Sequence, residues 1–123
     1  MEEEEFASMA LQYAQGMTQN SSRHDQLTQW IIQSDRQTYV YGYTDLLKLD
    51  LRAALENIQV PVTLLAATQP YGKEMVAATY NDQYKNLQQK ELIFAEDSSH
   101  FIMYDRPEWF SQQIILALEK NGQ

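Results

Sequence analysis

Apolar residues recur at helical intervals through the first part of the chain. Phe6, Met9, Ala10, Tyr13 and Met17 fall on one face, and Glu2 to Glu5 precede them, where acidic side chains favour the positive end of a helix dipole. Gln19-Asn20-Ser21-Ser22 interrupts the pattern as a loop, and a second helix from about Ser22 or Asp25 carries Leu27, Trp30 and Ile31. Ser34-Asp35 supplies the short polar side chains of an N-cap, after which Tyr39, Tyr43, Leu46 and Leu47 mark a third helical face. A short fourth helix is predicted over 51–57.

The period then changes. Val60-Pro61-Val62-Thr63-Leu64-Leu65-Ala66-Ala67 is short and apolar with β-branched residues, and Pro61, which has no amide to donate, suits its first positions. A continuous apolar run fits a parallel strand covered on both faces. Lys73 to about Asn86 returns to helical spacing with Met75, Val76, Thr79, Tyr80 and Tyr84, and Glu91-Leu92-Ile93-Phe94-Ala95 reads as a second buried strand. A helix crossing between parallel strands makes one right-handed βαβ unit. The last helix starts at Pro107, whose missing N–H costs nothing in a first turn, with Asp105 as its cap and Glu108 three residues on. Trp109, Phe110, Ile114, Ala117 and Leu118 are predicted to form its buried face, with Gln112, Glu119 and Lys120 outward and Asn121-Gly122 as the stop.

The predicted fold class is therefore α/β, with a helical segment over 1–57 and a β-α-β-α unit with parallel strands over 58–123. Two strands make a poor sheet, and the Val62 strand is left with an unpaired apolar edge of the kind that recruits partners. A homo-oligomer is expected, a dimer joined by strand pairing or by exchanged helices.

Composition narrows the classes. Hydrophobic residues make up 44% of the chain and eight residues are tyrosine, enough to bury a core and to argue against wholesale disorder. Nine basic against seventeen acidic residues give a net charge of -8, which opposes nucleic acid or an anionic membrane as partner. Without cysteine there is no disulfide framework, and no apolar run approaches the ~18 residues of a membrane span. The acidic start Met1-Glu2-Glu3-Glu4-Glu5 is the opposite of a signal peptide's basic one, so a cytoplasmic location is expected.

Candidate chemistry gathers in one stretch, Asp97-Ser98-Ser99-His100-Phe101-Ile102-Met103-Tyr104-Asp105-Arg106-Pro107-Glu108-Trp109-Phe110. It sets His100 on a loop between a strand and a helix, where scaffolds tend to present catalytic side chains. An imidazole there can act as a general base. Asp97 is too near His100 along the backbone to be its natural partner and reads as a turn residue. Ser98 and Ser99 stand on no glycine-flanked turn, so neither reads as a nucleophile. His24 beside Asp25 reads as a surface pair at a helix start. The two histidines have no ligand spacing, no metal site is expected, and no Gly-rich phosphate loop is present, so no cofactor is implied. Trp30, Tyr39, Tyr41 and Tyr43 suit core packing better than a pocket lining, and Tyr71 and Phe101 stand in the same position.

A strand followed by Ser-His-Phe and an Asp-x-Pro-x-x-Phe helix start resembles the C-terminal end of the α/β-hydrolase fold. The resemblance extends to Asp50-Leu51-Arg52, to Ile58 to Ala66 and to the helical run from Lys73, covering roughly residues 50 to 120; residues 5 to 49 resemble, more loosely, that family's helical cap. It implies a serine-type esterase acting on a small, largely apolar substrate, with His100 as the triad histidine. The family's Gly-x-Ser-x-Gly elbow is absent, since Gly16, Gly42, Gly72 and Gly122 all lie more than two residues from any serine. The nucleophile is therefore expected in a missing N-terminal half, which agrees with a core-plus-cap needing about twice this length. After the penultimate strand the sequence reads Thr68-Gln69-Pro70-Tyr71-Gly72, with no carboxylate before Glu74. The acid then lies on an earlier strand, or Glu74 substitutes, or the lineage is not catalytic; the first is preferred. The chain alone is expected to be inert. The competing readings are a non-catalytic oligomerising or interaction module derived from that fold, and an unrelated small α/β binding protein.

Overall fold

A computed structural model describes residues 1–122 of the chain, which divide into two compact units at Asp50 and Leu51. The first unit holds α1 (Glu3–Met17), a 3-10 turn (Ser21–Arg23), α2 (His24–Gln33) and α3 (Arg36–Lys48). The Glu2 amide donates to Glu5 Oε2 at 3.0 Å, which satisfies one of the donors that a helix start leaves open. Phe6 and Ala10 of α1 and Ile31 of α2 form a buried cluster, with Met9, Tyr13 and Tyr39 half-buried against it. Tyr39 meets Phe6 edge-on, with ring centroids 5.6 Å apart. The expected N-cap before α3 is present: Asp35 Oδ1 accepts the Thr38 amide at 2.8 Å.

The face predicted for α3 is not a buried one. Leu46 and Leu47 are 62% and 70% exposed, and no residue of α3 is fully buried. Of the aromatic set expected in the core, only Tyr39 joins it, whereas Trp30, Tyr41 and Tyr43 stay exposed. The buried cluster is small and built from α1 and α2, and α3 adds Tyr39 to it, while Tyr43 reaches only its rim, edge-on to Tyr13 with ring centroids 5.9 Å apart.

The second unit opens with a 3-10 turn at Ala53–Asn57, where an α-helix was expected over 51–57. That segment belongs with the strands and not with the helices before it, because Asn86 Nδ2 donates to Arg52 O at 2.8 Å. Next come β1 (Val62–Ala67), α4 (Lys73–Gln83), β2 (Lys90–Ala95), α5 (Ile102–Asp105) and α6 (Pro107–Asn121). β1 and β2 pair in parallel, in register from Val62 opposite Lys90 to Ala67 opposite Ala95. The chain is thus mixed α/β with a two-stranded parallel sheet. The first strand begins at Val62, two residues later than the apolar run, and Val60 is 65% exposed.

Val62 N–H donates to Gln89 O and Thr68 N–H to Ala95 O, so the amides of Val62, Leu64, Ala66 and Thr68 face β2. By alternation those of Thr63, Leu65 and Ala67 face the other edge, where the sheet has no further strand among the described residues. α4 ends at Gln83, short of the expected Asn86, because the chain turns at Tyr84 and so buries Leu87.

α6 departs most from expectation. Ile114 and Leu118, predicted to be buried, are 41% and 68% exposed, and Ile115 and Leu116 are exposed beside them. Its half-buried residues are Trp109, Phe110, Gln113 and Ala117. Lys120 Nζ reaches Glu91 Oε2 at 2.8 Å and ties the end of the helix to the start of β2. A sheet two strands wide can cover only a narrow stripe of a helix that carries apolar residues around more of its circumference.

Phe6→Ala is expected to cost about 3–5 kcal/mol by opening a cavity in the Phe6, Ala10 and Ile31 cluster, read as lost amide-exchange protection in α1 and α2. Acid should loosen the start of α3. The Thr38 hydrogen bonds hold the Asp35 carboxyl below its ordinary value of 3.8, so its contribution is present above that value and is lost as pH falls through the lowered one. Asp35→Asn, which keeps an acceptor but does not titrate, should remove this component from an acid titration followed by circular dichroism.

Candidate functional site

The loop from Glu96 to Phe101, between β2 and α5, carries His100. It begins with a turn at Glu96 and Asp97, and Asp97 has φ of 57°, a left-handed conformation that short polar side chains tolerate. Asp97 is therefore the turn residue expected from the sequence. Ser98 and Ser99 then pass inside, at 0% and 3% exposure. A buried hydroxyl or amide needs a partner, and here one carboxylate serves both residues. Asp105 Oδ2 accepts the Ser99 amide at 2.7 Å and the Ser98 hydroxyl at 3.4 Å, and that hydroxyl also donates to Ser99 O at 3.0 Å.

Asp105 is thus not the cap of the last helix. Arg106 occupies the N-cap position of α6 and makes no side-chain capping bond. Asp105 instead ends the short α5, which has no counterpart in the sequence-based expectation. A helix of four residues is too short for apolar periodicity to reveal, and the bonds of Asp105 run six and seven residues back along the chain.

The loop beyond β1 is joined to the same place. Thr68, 4% exposed, donates through both its amide and its hydroxyl to Ala95 O, each at 3.3 Å. Gln69 N–H donates to Ser98 O at 2.9 Å, and Gly72 N–H returns to Thr68 O at 2.7 Å. Gly72 has φ of 84°, open to glycine and strained for other residues, and it starts α4. On the far side, Arg106 Nη1 donates to Glu96 O at 2.7 Å.

Against this fixed frame the His100 side chain is exposed. Its carbonyl accepts from the Ile102 amide at 3.1 Å, and its ring lies 5.4 Å from that of half-buried Phe101. Among the described residues its imidazole has no hydrogen bond or ion pair, so neither Glu74 nor Asp97 is brought to it as a triad acid. Ser98 and Ser99 are buried beneath it and are not presented to solvent as nucleophiles. Lys73 pairs with Glu96 at 2.7 Å, and that contact holds the Glu96 carboxyl below its ordinary range. Tyr71 is 69% exposed and borders an apolar hollow of about 320 Å³ with Met75, Val76, Thr79 and Tyr80.

His24 is more than a surface residue. It opens α2 half-buried, and its Nε2 donates to Thr18 O at 3.0 Å, which fastens the loop after α1. Among the described residues no three His, Cys, Asp or Glu side chains are grouped to hold a metal ion, and no helix is long and apolar enough to cross a membrane. Comparison with known proteins returns no match, whether with family models, curated sequences or solved structures.

The two histidines differ in a way that reagents can read. Diethyl pyrocarbonate should modify exposed His100 several-fold faster than half-buried His24, with the two sites separated by peptide mass spectrometry. Equal rates would contradict the hydrogen bond to Thr18 or the exposure of His100.

Proposed function

We propose that this chain contributes the histidine of a serine-type α/β-hydrolase site acting on a small, largely apolar ester. His100 is the general base, and the nucleophile is carried on a polypeptide segment docked along the free edge of β1. The observation that carries this reading is the exposed imidazole on a rigid loop at the C-terminal end of a parallel strand. In parallel sheets ligands bind in crevices outside those ends. In this reading His100 takes the proton of the attacking serine and returns it to the leaving alkoxide, while the acid that orients the imidazole comes from the docked segment. The edge carrying the Thr63, Leu65 and Ala67 amides, which pair with no strand among the described residues, is where a preceding strand would pair.

A second reading is favoured by a separate observation. β1 contains no charged residue, and α6 leaves Ile114, Ile115, Leu116 and Leu118 exposed. An antiparallel pairing of β1 with its own copy would set no like charges opposite one another and would extend two strands to four. On that reading the chain is an assembly module without chemistry.

The test joins three measurements. The isolated chain should show no His100-dependent turnover of p-nitrophenyl butyrate. The complex recovered with the tagged chain from its source cells should contain a serine that reacts with a fluorophosphonate, and His100→Ala should slow that labelling by about 10²–10⁴-fold. Labelling that is absent, or unaffected by the substitution, overturns the catalytic reading. Light scattering decides the second reading. Thr63→Pro removes an amide that faces away from β2, so it should convert a dimer of the chain to a monomer while sparing the β1–β2 ladder; a monomeric parent excludes self-pairing.

A further inference from the structure

The His100 loop is built around a carboxylate that has no part in the reaction proposed above. Asp105 stands five residues beyond His100, and its Oδ2 receives both the Ser99 amide, at 2.7 Å, and the Ser98 hydroxyl, at 3.4 Å. Ser99 is the residue before His100. Through the Gln69 amide on Ser98 O, the same pair of serines joins the carboxylate to the loop beyond β1. On the other flank, the Ile102 amide donates to His100 O, and Ile102 is itself 6% exposed. His100 is thus a residue whose backbone is held on both sides while its imidazole stands in solvent.

The carboxylate is well suited to this. A charged acceptor makes shorter and stronger hydrogen bonds than a neutral one, and the Ser99 contact has the length of such a bond. Asp105 also lies where a cap for α6 would be placed, yet α6 begins without a side-chain cap. The acid holds the histidine loop from the position where a helix cap was expected.

We infer that Asp105 is the positioning residue of His100: by holding the Ser99 amide and the Ser98 hydroxyl it fixes the direction in which the imidazole is presented at the end of β2. Asp105 makes no bond to the imidazole, so it is not the triad acid. The geometry stands by itself, and only its catalytic meaning rests on His100 acting as a base.

Two readouts separate those claims. In the isolated chain, Asp105→Ala should raise the exchange rate of the Ser99 amide by roughly tenfold to a hundredfold, the loss expected for a bond to a charged group. It should also disorder the His100 ring in ¹³C relaxation, while the Leu64 and Ala66 amides facing β2 keep their protection. Asp105→Asn, which retains an acceptor oxygen, should recover most of both. Unchanged Ser99 exchange and unchanged His100 order in Asp105→Ala overturn the inference. Joint loss at Ser99, Leu64 and Ala66 would make Asp105 a general stability residue and overturn it as well. If Asp105→Ala does not fold, Ser98→Ala removes the longer of the two Asp105 bonds, together with the hydroxyl's bond to Ser99 O, keeps the Ser99 amide on Asp105, and must still loosen His100 without touching Leu64 and Ala66. In the fluorophosphonate assay Asp105→Ala should slow labelling and Asp105→Asn restore it. A loop loosened by Asp105→Ala with labelling unaffected would keep the positioning role and sink the catalytic role of His100.

Discussion

Two parallel strands of six residues are marginal as a sheet in water, so what joins β1 to β2 beyond their ladder matters as much as the ladder. After Ala67 the two chains do not diverge. Thr68 reaches Ala95 O through both its amide and its hydroxyl, and Gln69 reaches Ser98 O. The junction continues through Ser98 and Ser99 to Asp105, and from Arg106 back to Glu96 O. Both strand ends, both following loops and the start of α6 are therefore held by one connected set of hydrogen bonds. Buried polar groups of this kind are costly when unpartnered and specify a single arrangement when satisfied, and among the described residues no buried side-chain nitrogen or oxygen is left without a partner.

That junction explains the contrast at His100. Most loop residues that close a strand end are mobile because their backbone groups bond to water. Here the residue before His100 is tied to a carboxylate and the residue two beyond it is nearly inaccessible, yet the imidazole itself is exposed. The backbone around His100 is thus fixed by the fold while its ring is open to solvent. The apolar positions of α6 present the same case in packing terms. Phe110, Gln113 and Ala117 are half-buried, but Ile114 and Leu118 on the adjoining stripe remain in solvent.

The elements with a long period were legible in the sequence. Helical spacing marked α1, α2 and α3, the change to a short apolar run marked β1 and β2, and Asp35 was readable as a cap because capping acts over three residues. Errors fall where a residue's role is set from a distance. Asp105 has the spacing of a cap, and nothing local shows that two buried serines before it compete for the same carboxylate. Exposure along α6 and α3 is hidden from the sequence for a different reason. Periodicity shows which residues share a face, whereas burial depends on how much partner surface faces it, and a three-residue cluster in one unit and a two-stranded sheet in the other offer little. At the candidate site, the sequence located His100 and the Asp97 turn but not the bonds that hold them, since these connect positions up to 29 residues apart.

The catalytic and the assembly readings share one physical requirement, that the free edge of β1 be covered. Natural sheets guard an edge with charge, proline or a bulge, and β1 has only Pro61 ahead of its first residue, with no charge along Val62–Ala67. The chain as a whole carries -8, which opposes bringing two copies together at long range, but repulsion of that kind is screened over about 8–10 Å at physiological ionic strength. At contact distance a partner would meet the strand through backbone groups and small apolar side chains, where overall charge has little hold. What selects between a second copy and a different polypeptide is then not the edge, which accepts any extended strand, but the loops at its C-terminal end. On the catalytic reading, a copy of this chain would bring a second His100 but no serine on a glycine-flanked turn, so only a different polypeptide would give the exposed imidazole something to act on.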